Sequence, residues 1–135
     1  IERVRRSDGK GECLRVYGHK DKGWNYAACD VPGTTCPFSR VRLTARMRVD
    51  KISRPDLPPY FKIGVNDARG NWLTNIVTGR YDARKSGTWQ TLETTADLPA
   101  ATAGLDIAVE TGNREAPIDV DLRIDAVRIE VIQSW

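Results

Sequence analysis

Apolar residues recur at every second position along most of the chain. Val41, Leu43, Ala45, Met47 and Val49 alternate with Arg40, Arg42, Thr44, Arg46 and Arg48, the pattern of a long strand with one buried face. Phe61, Ile63 and Val65 repeat it, as do Leu105, Ile107 and Val109. Near the end Ile118, Val120, Leu122 and Ile124 alternate, and the phase then slips by one residue to Val127, Ile129 and Val131. Such a slip inside one strand predicts a β-bulge near Asp125-Ala126. No segment carries the stripe of an amphipathic helix. Turn residues punctuate the pattern at Gly18 to Gly23, Pro32-Gly33, Pro55 to Pro59, Arg69-Gly70-Asn71, Ser86-Gly87, Pro99 and Gly112-Asn113. The strands therefore read as 11–17, 25–31, 39–51, 60–66, 72–78, 88–97, 104–110 and 118–132. Short strands at this spacing, with no helix, predict an all-β fold: a two-sheet antiparallel β-sandwich, a jelly roll. No repeat or linker divides 1–135, so the chain reads as a single domain.

Composition leaves that picture intact. The 135 residues are 40% hydrophobic and 29% charged, a normal globular balance. No apolar run approaches the roughly 20 residues of a membrane helix, so no membrane partner is expected. The net charge of +3 comes from 21 Lys and Arg against 18 Asp and Glu, interspersed along the chain. That is no nucleic-acid footprint, and no such partner is expected. The opening Ile1-Glu2-Arg3-Val4-Arg5-Arg6 resembles neither a signal peptide nor a natural start. The sequence is expected to be a module excised from a longer precursor.

Catalysis would need a nucleophile with its base, a carboxylate pair in a pocket, or a metal cluster. The sole histidine, His19, sits in a charged turn, and Asp and Glu fall at outward strand positions. No Gly-x-Ser-x-Gly, phosphate loop or dinucleotide fingerprint occurs, so no catalytic residue is assigned. The rings carry more information. Trp24, Trp72, Trp89 and Trp135, with Tyr17, Tyr26, Tyr60 and Tyr81, are polar-edged aromatics. Sugars present apolar C–H faces that stack on such rings and hydroxyls that need hydrogen-bond partners. Trp89, within Thr88-Trp89-Gln90-Thr91-Leu92, reads as the start of a half-buried strand. Trp24 and Trp72, each beside a turn, suit either a ligand platform or a structural place; Trp24 shares a strand face with Tyr26. The stripe Arg40, Arg42, Arg46 and Arg48 has two readings as well. It can clamp carboxylates of an acidic polysaccharide, or it can pair across the sheet with Asp119, Asp121 and Asp125.

The cysteines are Cys13, Cys29 and Cys36; with a single histidine and no Cys-x-x-Cys pair they predict no zinc site. Parity sets Cys13 opposite Leu14 and Val16, whereas Cys29 shares parity with Val31. A Cys29–Cys36 disulfide with Cys13 free is the expectation; three reduced thiols in a cytosolic protein are the alternative.

Several segments follow a familiar order: Cys13-Leu-Arg-Val16, Gly23-Trp-Asn-Tyr26, Val41 to Asp50, Gly87-Thr-Trp-Gln-Thr-Leu92, Leu105 to Glu110 and Leu122 to Ile129. Together they resemble the carbohydrate-binding modules of the galactose-binding-like jelly-roll superfamily, especially the family 4, 9 and 22 group. The resemblance spans nearly the whole chain. It implies non-catalytic binding of a β-linked polysaccharide across one sheet. In the xylan-binding branch a Trp at the start of the second strand and the Glu of an outward Tyr-x-Glu step touch sugar. Trp24 and Glu110 match these positions, but Ala108 stands where that branch has its Tyr. The resemblance also implies a structural calcium ion (Ca2+). The first Asp of a closing Ile-Asp-Asp-Val motif is a ligand there, matched by Asp125 in Ile124-Asp-Ala-Val127, with Glu2 a poor match for a second.

The expected site is therefore stacking by Trp24, Tyr26 and Trp72, with hydrogen bonds from Asn66, Asn75 and Glu110. The expected partner is a polysaccharide or oligosaccharide, acidic or β-linked. The expected setting is a monomeric module joined to a catalytic domain of a secreted, extracellular or periplasmic enzyme. The alternative is a structural or protein-interaction β-sandwich with no sugar site.

Overall fold

The computed structural model describes residues 2–6, 11–31 and 40–133. Among these residues are nine strands: β1 (Glu2–Arg5), β2 (Glu12–Lys20), β3 (Asn25–Asp30), β4 (Arg40–Ile52), β5 (Tyr60–Asn66), β6 (Trp72–Val77), β7 (Gln90–Asp97), β8 (Gly104–Glu110) and β9 (Ile118–Gln133). They form a five-stranded sheet, β1-β2-β9-β4-β7, and a four-stranded sheet, β3-β8-β5-β6. Every pairing is antiparallel. Because β2 to β5 and β6 to β9 alternate between the sheets, the chain winds as a jelly roll.

The core lies where the alternation places it. From β4, Val41, Leu43, Ala45, Met47 and Val49 are almost wholly buried and meet Phe61, Ile63 and Val65 of β5 in one apolar cluster. Tyr81 closes one end, its ring buried and its hydroxyl donating to the carbonyls of Lys85 and Thr88 at 3.0 and 2.7 Å. The bulge in β9 falls where the phase slips. Thr44 pairs with Arg128 and Arg46 with Asp125, so two residues of β9 face one of β4, and Ala126 takes a φ of +52°. Ile129 beyond it is half-buried, but Val127 and Val131 are exposed. The pairing explains this: β2 accompanies β9 only as far as Ile124, and past that point β9 runs without a β2 partner.

The outer face of the five-stranded sheet is laced with charge pairs. Arg40 bonds Asp97, Arg42 bonds Glu130, Arg15 joins Glu2 and Asp121, and Asp50 joins Arg48 and Arg123. The guanidinium carbons of Arg6, Arg46 and Arg48 lie 5.9, 5.3 and 5.6 Å from the centroid of half-buried Trp89, within cation–π range. The arginine stripe is thus engaged by the sheet itself, though its partners are Asp97, Glu130, Asp50 and a ring rather than the Asp119, Asp121 and Asp125 set. Cys13 is buried and Cys29 exposed, with no disulfide between them. Cys36, and with it the expected Cys29–Cys36 bond, lies outside the described residues, as does Trp135.

Candidate functional site

The outer face of the four-stranded sheet is polar and carries exposed rings. The inward positions of β5 are Phe61, Ile63 and Val65, so Tyr60, Lys62, Gly64 and Asn66 point outward. Register then places Asp106, Ala108 and Glu110 of β8 beside them, followed by Asn25, Ala28 and Asp30 of β3. On the other flank β6 contributes Trp72, Asn75 and Val77.

Glu110 anchors one end of this face. Its side chain is 8% exposed; one oxygen lies 2.9 Å from Lys62 Nζ and the other accepts from the Tyr60 hydroxyl at 3.1 Å. Burial of the Tyr60 phenol, with the Glu110 charge beside it, raises its pKa above the usual tyrosine value. Arg80 stacks over the Tyr60 ring at 5.0 Å and donates to the carbonyls of Pro58 and Thr111. Tyr60 is in register with Glu110 across the ladder, and Lys62 with Ala108. Trp24 sits just before β3 at this same end, 50% exposed, its carbonyl accepting from Thr111 N at 3.0 Å.

The second group forms at the opposite corner. Trp72 is 64% exposed, and its indole Nε1 donates to Asn75 Oδ1 at 2.8 Å, which fixes the ring against the sheet. Asn66 is in register with Trp72 and donates to Asp106 Oδ2 at 3.4 Å. Asp106 lies across β5 where Gly64 leaves room: a Cβ on Gly64 would fall 2.5 Å from Asp106 Oδ1.

Of the expected residues, the structure therefore brings Trp72, Asn66 and Asn75 together, and bonds the Trp24 backbone to Thr111, the residue after Glu110. The two groups occupy diagonal corners. Register separates them by the run from Glu110 to Gly104 and by the width of four strands, about 20 Å by about 14 Å, or about 25 Å corner to corner. Tyr26 stands apart. A bulge between Asn25 and Ala27 breaks the shared strand face, so its ring packs on the core. Its hydroxyl is buried with no hydrogen-bond partner among the described residues, and burial pushes the phenol pKa up strongly. Tyr60, Lys62 and Asp106 join the face unassigned by sequence reasoning. Their signal was parity alone, which marks a residue as outward without saying what it meets there.

The expected calcium ligands are held by arginines. Asp125 Oδ2 accepts from Arg6 Nη1 at 2.6 Å, and Glu2 pairs with Arg15 at 3.1 Å. No cluster of three His, Cys, Asp or Glu suited to a metal occurs among the described residues. A calcium ion takes six to eight oxygens, and one carboxylate already bonded to a guanidinium does not fit it.

No protein-family model matches the sequence, and no curated protein does. Solved structures match the fold. A family 22 carbohydrate-binding module with the catalytic module of an endo-1,4-β-xylanase from Clostridium thermocellum, complexed with xylohexaose, superposes with a TM-score of 0.71 at 11% identity, over 97% of this chain and 24% of that one. The family 22 xylan-binding domain of a Paenibacillus barcinonensis protein gives 0.66 at 9% identity, over 99% and 81%. A family 16 carbohydrate-binding module gives 0.63 at 12% identity, over 95% and 83%. The chain has the jelly-roll fold of carbohydrate-binding modules.

Proposed function

We propose that this domain binds a neutral, β-linked polysaccharide across the outer face of the four-stranded sheet, as a non-catalytic module of a larger secreted enzyme. The observation that carries this reading is a polar sheet face with exposed Trp72 at one corner and the exposed Trp24 entering β3 at the opposite end. Each ring offers a stacking surface, and Asn66, Asn75, Asp106 and Lys62 lie between them to meet hydroxyls. The xylohexaose and xylan of the similarly folded modules support the same class of ligand.

Charge argues for a neutral chain over an acidic one. The face carries Asp30, Asp106 and Glu110 against Lys62, which Glu110 already holds, and Arg80 at its Tyr60 end, which donates to backbone carbonyls; the arginine stripe lies on the other sheet, engaged by carboxylates and Trp89. A polyanion laid on this face would meet like charges. Non-catalytic binding fits as well, because Glu110 is held by Lys62 and Tyr60 and no second carboxylate is hydrogen-bonded to it among the described residues.

The test is calorimetry of the isolated domain with soluble xylan, mixed-linkage β-glucan, alginate and pectin. A neutral glycan is expected to bind, with Trp24→Ala and Trp72→Ala each weakening it at least tenfold, roughly 1.4 kcal/mol. Binding that survives both substitutions unchanged, or that is confined to alginate and pectin and collapses with salt, would overturn the reading. One observation favours a protein-interaction reading: an apolar opening between the sheets at Leu14, Ala28, Ile107 and Val127, where Leu14 and Val127 are exposed. Failure of every glycan to bind would leave that reading standing.

A further inference from the structure

Lysine is rarely buried without a partner, because desolvating an ammonium is unfavourable unless hydrogen bonds replace its water. Lys20, the last residue of β2, is 7% exposed. Its Nζ donates to the carbonyl of Gly23 and to that of Asn113, each at 2.9 Å. These oxygens belong to two different loops, the turn that leads into Trp24 and the loop that follows Glu110.

Backbone bonds dock the same two loops on either side of Lys20. Gly23 N donates to Arg114 O at 2.8 Å, and Thr111 N donates to Trp24 O at 3.0 Å. The second loop is stiff in itself: the buried Thr111 hydroxyl donates to Asn113 O at 2.8 Å and accepts from Asn113 N at 3.0 Å. The turn is held less well by its own residues. Gly23, at a φ of +112°, adopts a conformation that does not by itself fix the direction of the next residue. Beside the two backbone bonds, the ammonium adds a charge-assisted clamp between the turn and the stiff loop.

We infer that Lys20 is the positioning residue for Trp24: it never touches sugar, and it holds the turn so that the Trp24 backbone, and with it the exposed indole, is fixed where the chain enters β3. This rests on the sugar-binding reading of Trp24. Preorganisation of this kind acts by removing an ordering cost that binding would otherwise bear.

The experiment uses the full 135-residue chain labelled with 5-fluorotryptophan, with Trp24→Phe identifying the Trp24 fluorine resonance. Lys20→Met keeps the aliphatic stem and removes the donors, Lys20→Arg restores cationic donors, and Leu98→Ala serves as a buried control remote from the loops. The probes are xylohexaose and cellohexaose, titrated well below the unfolding temperature. Lys20→Met is expected to shift the Trp24 resonance while leaving that of Trp89 in place, and to weaken hexaose binding at least tenfold. Lys20→Arg should recover most of both, and Leu98→Ala should change neither. An unmoved Trp24 resonance in Lys20→Met, or a moved one with undiminished affinity, overturns the inference. Should Lys20→Met not fold, Lys20→Gln gives the same two readings. If the wild type binds neither hexaose nor any polymer, the sugar reading fails, and the fluorine shift alone decides whether Lys20 orients Trp24.

Discussion

Single residues set local chemistry on both sheets, Gly64 beside Asp106 on one and Arg15 beside Asp121 on the other. Gly64 is required by its neighbour, not by its own backbone, because the Asp106 carboxylate occupies the space a Cβ would take. Gly64→Ala is expected to swing Asp106 aside with a stability change below about 1 kcal/mol, since a flexible carboxylate yields more readily than a packed core. Glycan affinity should fall about tenfold, and calorimetry beside thermal unfolding separates the two effects. On the other sheet, Arg15 donates to Asp121 through Nε and Nη2 at 3.0 and 2.9 Å. These bonds hold the Asp121 carboxyl below the usual carboxylate range, against the opposing effect of its partial burial. A lowered native pKa contributes stability at pH values above the unfolded value near 3.9, and that contribution is lost as pH falls through the native one. Arg15→Gln should therefore lower Tm most at pH 7, with the gap to wild type closing as pH falls below the unfolded value of about 3.9. A gap that stays constant across that titration would show that the Asp121 linkage is absent.

Among the elements, β9 shows what a sequence pattern carries and where it stops. The one-residue phase slip after Ile124 located the bulge, because alternation is a backbone property written directly in the residue types. Ala126 there bears a φ of +52°, which costs an L-residue roughly 1–2 kcal/mol. Glycine relieves that strain at an entropic cost of roughly 0.5–1 kcal/mol, so Ala126→Gly is expected to stabilise the domain by about 0.5–1 kcal/mol in urea unfolding. The exposure of Val127 and Val131 was not legible, since it depends on where β2 stops pairing. Tyr26 failed for a related reason. Its bulge opposite β8 leaves no mark in a six-residue strand whose neighbours are Asn25 and two alanines. Strand β1 escaped as well, because Glu-Arg-Val-Arg offers one apolar residue and pairs only with β2.

For the whole molecule, two-sheet architecture followed from periodicity, whereas the composition of the face did not. Trp24, Trp72, Asn66 and Asn75 could be picked out as residue types suited to sugar, but only the β3-β8-β5-β6 order shows that they fall into two corner groups. Glu110 matched a motif position, yet its burial under Lys62 and Tyr60 comes from the neighbouring strand. The metal expectation meets the same limit: Asp125 was visible in the sequence and the Arg6 guanidinium bonded to it was not. Calcium at millimolar concentration, or a chelator, is accordingly expected to leave Tm and glycan affinity unchanged. An increase of several degrees on adding calcium would show that residues beyond those described complete a site.

Under the proposed sugar-binding role, the diagonal separation of Trp24 and Trp72 would make the domain a gauge of length. A ligand shorter than about 25 Å reaches one corner at a time and gains the contacts of one ring. A longer chain engages both, the second as an intramolecular event at high effective concentration. Residence on the ligand then rises steeply once the chain spans the sheet. Under the proposed role, a module built this way would stay on intact polymer and let short fragments go, so that products of depolymerisation by an attached enzyme would not displace it from its substrate.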